Sequence, residues 1–206
     1  AGHEVTVIVG GEGALTGMRF GTPRYVKAGA RPRDALRREL PVHDLAYVIA
    51  PESGGMLAGL IEMVEELRGS EASLNLPSSA VRGASDKLHV YEGLRSRGVA
   101  VPRSLALDPT DLRGSGEWPS TLGFPMVLKP LEGTGCEGLC VAWDKEGLER
   151  IMRHIDLRPQ SPILAQEYVA GIPSSVSMLC SGSGALPLSL NRQVVLLDRR
   201  LGRSLY

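Results

Sequence analysis

Aromatic side chains are scarce in this chain. Only 4% of its 206 residues are Phe, Trp or Tyr, too few for the stacking platform of a protein that grips single-stranded nucleic acid. Charge of one sign is missing as well. The 23 Lys and Arg balance 23 Asp and Glu, so no net field draws the chain to nucleic acid or to an anionic membrane. The longest apolar stretches, such as LAYVIA at 45–50, fall far short of a bilayer span, and no secretory signal pattern is visible. There are three cysteines (Cys136, Cys140, Cys180), none in a C-x-x-C pair, and four dispersed histidines (His3, His43, His89, His154). That set argues against a disulfide scaffold or a zinc site and fits reduced thiols in a cytoplasmic protein. An apolar content of 43% and a mean hydropathy near zero leave a globular protein, with material for one large domain or two small ones.

What is present alternates. Gly2 reads as a helix C-cap followed by a strand from Glu4 to Val9, then a Gly- and Arg-rich loop at 10–34 and a strand over Leu45–Ala50. A helix follows with Leu57, Leu60, Ile61, Val64 and Leu67 on one face and Gly69 as its stop. Strand, helix and strand in this order predict an open α/β layer. Near Ser79 a second part begins. Ser85 is expected to cap a helix lined by Leu88, Tyr91 and Leu94 that ends at Gly98, and 108–120 reads as a linker. Beyond Pro125 the pattern becomes short strands with one helix. Strands are expected at PMVLKP, LCVAW, PILAQEYV, SSVSMLCS and ALPLSL, with a helix at 145–155, which suggests an antiparallel α+β subdomain. The start without Met and the close in LLDRRLGRSLY, with no element completed after Gly202, read as a chain lacking sequence at both ends.

The chemistry concentrates around FPMVLKPLEGTGCEG. Lys129 ends an apolar run, and Gly133, Gly135 and Gly138 follow, leaving backbone N–H groups free to approach an anion. The loop lacks the G-K-[ST] of a Walker A sequence and does not open a helix, so it reads equally as a hairpin turn and as a phosphate lid. Lys87 stands in the first helical turn after GASD, where backbone donors and a cation can meet a phosphate. About forty residues beyond Lys129, Gln166-Glu167-Tyr168-Val169 closes a strand whose main chain can read an adenine edge. Glu52, between a strand and a helix, suits either a substrate ammonium or the helix dipole. Asn191 and Arg192 follow the last strand; Arg192 suits a substrate carboxylate, a phosphoryl group or a plain surface ion pair. Glu65 and Glu66 read as solvated charge, and Cys136 has no histidine placed to activate it as a nucleophile.

Lysine at a helix start, lysine on a strand, a glycine loop and then Q-E-Y-V-x-G form an order that resembles the ATP-grasp superfamily, over about Leu45 to Val194. The segments YVIAPESGG, SDKLHVYEGL and SSVSMLCSGSGALPLSLNRQ further resemble the tyramine–glutamate ligase of methanofuran biosynthesis. The resemblance implies a pre-ATP-grasp α/β domain at 1–78 and the N-terminal part of an ATP-grasp domain at 79–206, with a lid subdomain at about 121–185. It implies that Lys87 and Lys129 hold ATP phosphates beneath Gly133, Gly135 and Gly138, and that Gln166, Glu167 and Val169 form the adenine hinge. Glu167 and Val169 would act largely through the backbone. The ribose contact, acidic in such families, passes to Ser174, because Ile172 and Pro173 follow Gly171. Arg192 becomes the catalytic candidate, and Glu52 and Asn191 the substrate contacts.

The implied cofactors are ATP and Mg²⁺. No magnesium ligand is assigned within 1–206, so the 206 residues alone are expected to be inactive. The implied partners are a small-molecule acid and amine, not nucleic acid or a membrane; a homo-oligomer is left open. Two other readings stand beside the ligase. One is a non-catalytic ATP-binding or regulatory module. The other, a nucleic-acid domain using Arg19, Arg24, Lys27, Arg31 and Arg33, is opposed by the zero net charge and sparse aromatics.

Overall fold

The computed structural model describes residues 3–10, 24–28, 31–108, 111, 118–132, 136, 138–154, 162–195, 197–198 and 203–204. The chain divides into two compact units, Ala1–Ala50 with Met56–Ser79, and Pro51–Gly55 with Ala80–Tyr206. No helix among the described residues is long and apolar enough to cross a membrane.

In the first unit β1 (Thr6–Val9) pairs in parallel with β2 (Arg24–Lys27). The second strand lies inside the segment expected to be a loop, because R-Y-V-K has no apolar alternation and its pairing with β1 supplies what its sequence does not. Helix α1 (Pro32–Glu39) follows, with Pro32 at its first position, where a missing N–H costs nothing. An ion pair from Arg24 to Glu39 ties the second strand to this helix. The expected strand at 45–50 is reduced to one bridge. Ala46 N donates to Ala72 O (2.8 Å) and Leu74 N to Ala46 O (2.9 Å). Beyond them the Asn75 side chain stands in for a strand, with Oδ1 accepting from Val48 N and Nδ2 donating to Val48 O, both at 2.8 Å. These bonds satisfy the segment without a continuous ladder.

Helix α2 (Met56–Arg68) buries Ala58, Gly59, Leu60, Ile61, Met63 and Val64, a wider face than the expected stripe, while Leu67 is exposed. Leu40, Met63, Val64 and Ala72 form the core of this unit, with Leu36, Ala46 and Val48 against them. Glu65 is not solvated charge. It accepts from Ser78 N (2.9 Å) and Ser78 Oγ (2.5 Å), at the start of helix α3 (Ser78–Ser85).

In the second unit Ser85 does not cap the next helix; its hydroxyl turns back to Val81 O (2.8 Å). Asp86 caps α4 (Lys87–Ser96), accepting from Leu88 N (2.9 Å) and His89 N (3.0 Å). A carboxylate one residue later in S-D-K wins because it reaches two N–H groups at once, a cap worth about 1 kcal/mol. The helix stops at Gly98, whose φ of 75° lets Val99 N fold back to Leu94 O (3.1 Å).

A six-stranded antiparallel sheet then forms, in the order β3 (Ser104–Leu107), β6 (Ile163–Glu167), β4 (Met126–Pro130), β5 (Cys140–Ala142), β10 (Arg203–Ser204), β9 (Leu197–Asp198). Strand β10 corrects the expectation that nothing is completed after Gly202; its two residues pair with Cys140 and with β9 rather than standing alone. Overlapping the end of the expected linker, a short helix α5 (Trp118–Leu122) contributes Leu122 to the core. Helix α6 (Lys145–His154) lays Leu148 and Ile151 against Met126, Leu128, Cys140, Ala142, Ile163 and Ala165. The two-residue period of β4 and β6 sends Met126, Leu128, Ile163 and Ala165 to this core and leaves Lys129 and Gln166 on the opposite face. A separate hairpin, β7 (Ser174–Ser181) and β8 (Gly184–Arg192), completes the described chain.

Candidate nucleotide site

Lysine 129 is not a free surface cation. From the outer face of β4 its Nζ donates to Gln166 Oε1 on β6 (2.9 Å) and to Tyr91 Oη on α4 (3.1 Å), and it lies 5.4 Å from the Tyr91 ring centre. Gln166 is buried, and its Nε2 donates to Ser104 Oγ on β3 (2.8 Å), which in turn donates to Pro102 O (3.0 Å). Register explains the alignment, since Gln166 faces Val127 on one side and Ser104 on the other.

Lys87 comes from the first turn of α4, and its Nζ donates to Leu131 O (3.0 Å), just past the end of β4. Burial, joined by the Lys129 ammonium, holds Lys87 below the ordinary lysine range against the opposite pull of Tyr91, Glu52 and Glu132. Burial alone would raise Tyr91. Its hydrogen bonds with Lys129 and Gln166 and the charges of Lys129 and Lys87 outweigh that and bring it below the ordinary phenol range. Two ammonium groups, a phenol and a buried amide therefore converge on one face, with the Glu52 carboxylate close enough to act on Lys87. The helix terminus itself is not an anion seat, because Asp86 already takes two of its N–H groups.

The neighbouring positions fall differently. Glu167 points to the other face from Gln166. Its Oε2 accepts from Arg103 Nε (2.6 Å) and its Oε1 from Arg103 N (3.0 Å), so Arg103 holds the carboxyl below the usual carboxylate range. Arg103 also donates to Thr121 O (3.0 Å) and Leu122 O (2.9 Å), which pins the end of β6 to α5. Val169 is 64% exposed. Gly133 and Gly135 lie outside the described residues; Gly138 is described, with φ 69°, and a Cβ there would sit 3.0 Å from Pro130. Ser174, Asn191 and Arg192 are gathered on the hairpin instead, with Ser174 opposite Arg192 and Ser175 opposite Asn191. Asn191 bonds Ser177 Oγ (2.9 Å) and Ser189 Oγ (3.1 Å), and Arg192 is exposed.

Sequence reasoning missed Tyr91 as a site residue, treating it as a helix-face position. The spacing was available, since Lys87 and Tyr91 are four residues apart on one helix and share a face. Ser104 and Arg103 carried no comparable signal.

A pre ATP-grasp 3 domain matches residues 22–81, and an ATP-grasp domain matches residues 84–204. The chain belongs to the ATP-grasp family. A D-alanine–D-alanine ligase A of Mesorhizobium japonicum is 26% identical over 200 residues, 96% of this chain and 50% of that protein. A carbamoyl phosphate synthase large chain of Acidobacterium capsulatum is 30% identical over 93 residues, 45% of this chain and 8% of that protein. The chain thus spans half, or far less, of the length of these relatives. The L-amino acid ligase of Bacillus licheniformis shares the fold at a TM-score of 0.64 and 16% identity, over 92% of this chain and 46% of that one. The N5-carboxyaminoimidazole synthetase of Staphylococcus aureus, solved with ADP, does so at 0.63 and 16%, over 96% and 49%.

Paired ammonium groups, one of them partly desolvated, are suited to anionic oxygens such as those of a polyphosphate. Magnesium, the other implied cofactor, is usually held by one or two carboxylates together with the phosphates themselves. Among the described residues no group of three His, Cys, Asp or Glu could hold a metal ion, so no step is derived through that ion. A pH dependence follows. A bound anion favours charged Lys87, so ATP affinity is expected to stay level below the free-state pKa of Lys87 and to fall as pH rises through it, earlier than an ordinary lysine would dictate. Calorimetric titrations from neutral pH to about pH 10 check this, with the decline moving to higher pH in Lys87→Arg.

Proposed function

We propose that the chain forms the ATP-holding part of a ligase that joins a carboxylate to an amine. The observation that carries the reading is the convergence of Lys87 and Lys129 on the outer face of β4, next to the end of β6. Lys87 and Lys129 hold the phosphates, and the role of covering them is assigned to Gly133, Gly135 and Gly138. Gln166, Glu167 and Val169 border the adenine. Glu167 acts through its backbone, which the engagement of its carboxylate by Arg103 supports. Ser174 serves the ribose, Arg192 the carboxylate or the transferring phosphoryl group, and Glu52 and Asn191 the substrates. The placement of Ser174 opposite Arg192 supports grouping those two.

ATP supplies the phosphoryl group. A carboxylate oxygen attacks the γ-phosphorus, ADP leaves, and the amine nitrogen attacks the acyl carbon, expelling phosphate and losing a proton. The protein's share is to position and neutralise charge, and no side-chain nucleophile is required. The names of two of the relatives, a D-alanine–D-alanine ligase and an L-amino acid ligase, favour amino acid substrates. In the finer reading the acid is the γ-carboxylate of glutamate, itself an amino acid, and the amine is tyramine or a close relative, as in methanofuran-type cofactor biosynthesis in the cytoplasm. This finer assignment rests on the segments YVIAPESGG, SDKLHVYEGL and SSVSMLCSGSGALPLSLNRQ.

The test incubates the whole protein that carries these 206 residues with ATP, magnesium chloride, amino acids and amines, scored for ADP and product mass. ADP formed only when acid and amine are both present is the expected result. AMP with pyrophosphate overturns the acyl-phosphate route, and no nucleotide consumption makes the chain a binding module.

A further inference from the structure

Two lysines of like charge approach each other in this protein, and Lys129 is one of the causes that depress Lys87. Such a pair needs something besides an anion to keep it together. Tyr91 stands between them. It lies one helical turn from Lys87, and its phenol oxygen accepts from Lys129 Nζ at 3.1 Å. A lysine ammonium only donates, so the Tyr91 oxygen is the acceptor in that bond. Nζ is 5.4 Å from the ring centre and lies out beyond the hydroxyl, so the phenol oxygen, not the ring face, makes the attraction. Gln166 Oε1 takes a further proton of the same ammonium, and Gln166 is itself fixed by Ser104.

We propose that Tyr91 is a positioning residue of the nucleotide site, holding Lys129 in its phosphate-binding orientation beside Lys87 before any nucleotide arrives. It acts on phosphate through Lys129 and leaves recognition of the base alone. Its lowered pKa agrees with a phenol oxygen turned toward positive charge. The inference rests on the reading of Lys87 and Lys129 as phosphate contacts. Ordering Lys129 in advance removes a side-chain entropy cost from binding, which a helix-face tyrosine filling space would not do.

The experiment is a double-mutant cycle on the whole protein that carries these 206 residues, with Tyr91→Phe, Lys129→Ala and both together, titrated by calorimetry with ATP and with adenosine. Phenylalanine keeps the ring and its packing, and a thermal melt of each variant reports any loss of fold. Tyr91→Phe is expected to weaken ATP about tenfold, the scale of one hydrogen bond to a charged group. Adenosine should change less than about twofold, and Tyr91→Phe should add nothing once Lys129 is alanine. Tyr91→Phe leaving ATP affinity unchanged while Lys129→Ala lowers it overturns the role of Tyr91 alone. So does an equal loss in both backgrounds, or an equal loss for ATP and adenosine. Lys129→Ala binding ATP as the wild type does overturns the phosphate-site reading, and this inference with it.

Discussion

Lys129→Ala is expected to weaken ATP binding by about 10- to 100-fold, the range of one or two hydrogen bonds to a charged group, while adenosine affinity stays within about threefold. The lost interaction is charge-assisted and meets only the phosphates. The substitution also frees Gln166 Oε1 and Tyr91 Oη, which lie at 2.9 and 3.1 Å from Nζ in the native protein. Tyr91 is half-buried and can take water in place of the ammonium, whereas Gln166 is buried and its Oε1 loses a partner, so a modest fall in melting temperature is expected beside the loss of affinity. Calorimetry with the two ligands and a thermal melt check the prediction together. Equal losses for ATP and adenosine would make Lys129 a structural residue of β4, and Lys87→Ala should show the same split between ATP and adenosine.

Leu128→Ala, one residue earlier, is expected to do the reverse. Leu128 is fully buried among Met126, Cys140, Ala165 and the α6 side chains. Removing its branched end should cost about 2–5 kcal/mol through lost transfer energy and the cavity left behind. For a chain of this size each kcal/mol lowers the transition by about 2–4 °C, so a fall of at least several degrees is the expected result of a melt followed by circular dichroism. Any loss of ATP affinity should then follow the unfolded fraction. At temperatures where the variant remains folded, ATP and adenosine should bind close to wild-type strength, because Lys129 faces away from the cavity. Neighbouring residues on one strand would thus separate stability from ligand binding, as the two faces of a sheet require.

Some of this was legible in the residues. The alternation in PMVLKP sends Met126 and Leu128 one way and Lys129 the other, and the structure keeps that assignment. The ordered set of two lysines, glycine loop and Q-E-Y-V pointed to the ATP-grasp fold, which the domain matches and the fold neighbours bear out. The pattern was less informative where pairing, not side-chain period, makes the element. Strand β2 exists because β1 lies beside it, and β10 because Cys140 does. At LAYVIA the expected strand gave way to one bridge and the Asn75 amide. At S-D-K local chemistry offered two caps one residue apart, and geometry chose Asp86 over Ser85.

Sequence alone determined the facial assignments along β4 and β6, since those follow from the fixed two-residue period of a strand. It also determined the inventory of charges from which the proposed phosphate site is drawn. Only the tertiary structure decided which of those groups meet. Tyr91 and Lys129 are 38 residues apart, and Lys87 and Leu131 are separated by 44. Their contact depends on α4 lying over the end of β4, and on the β3–β6–β4 register that turns Gln166 toward Lys129 while Glu167 turns toward Arg103. Such contacts are set by the packing of surfaces distant in the chain, which no local spacing encodes.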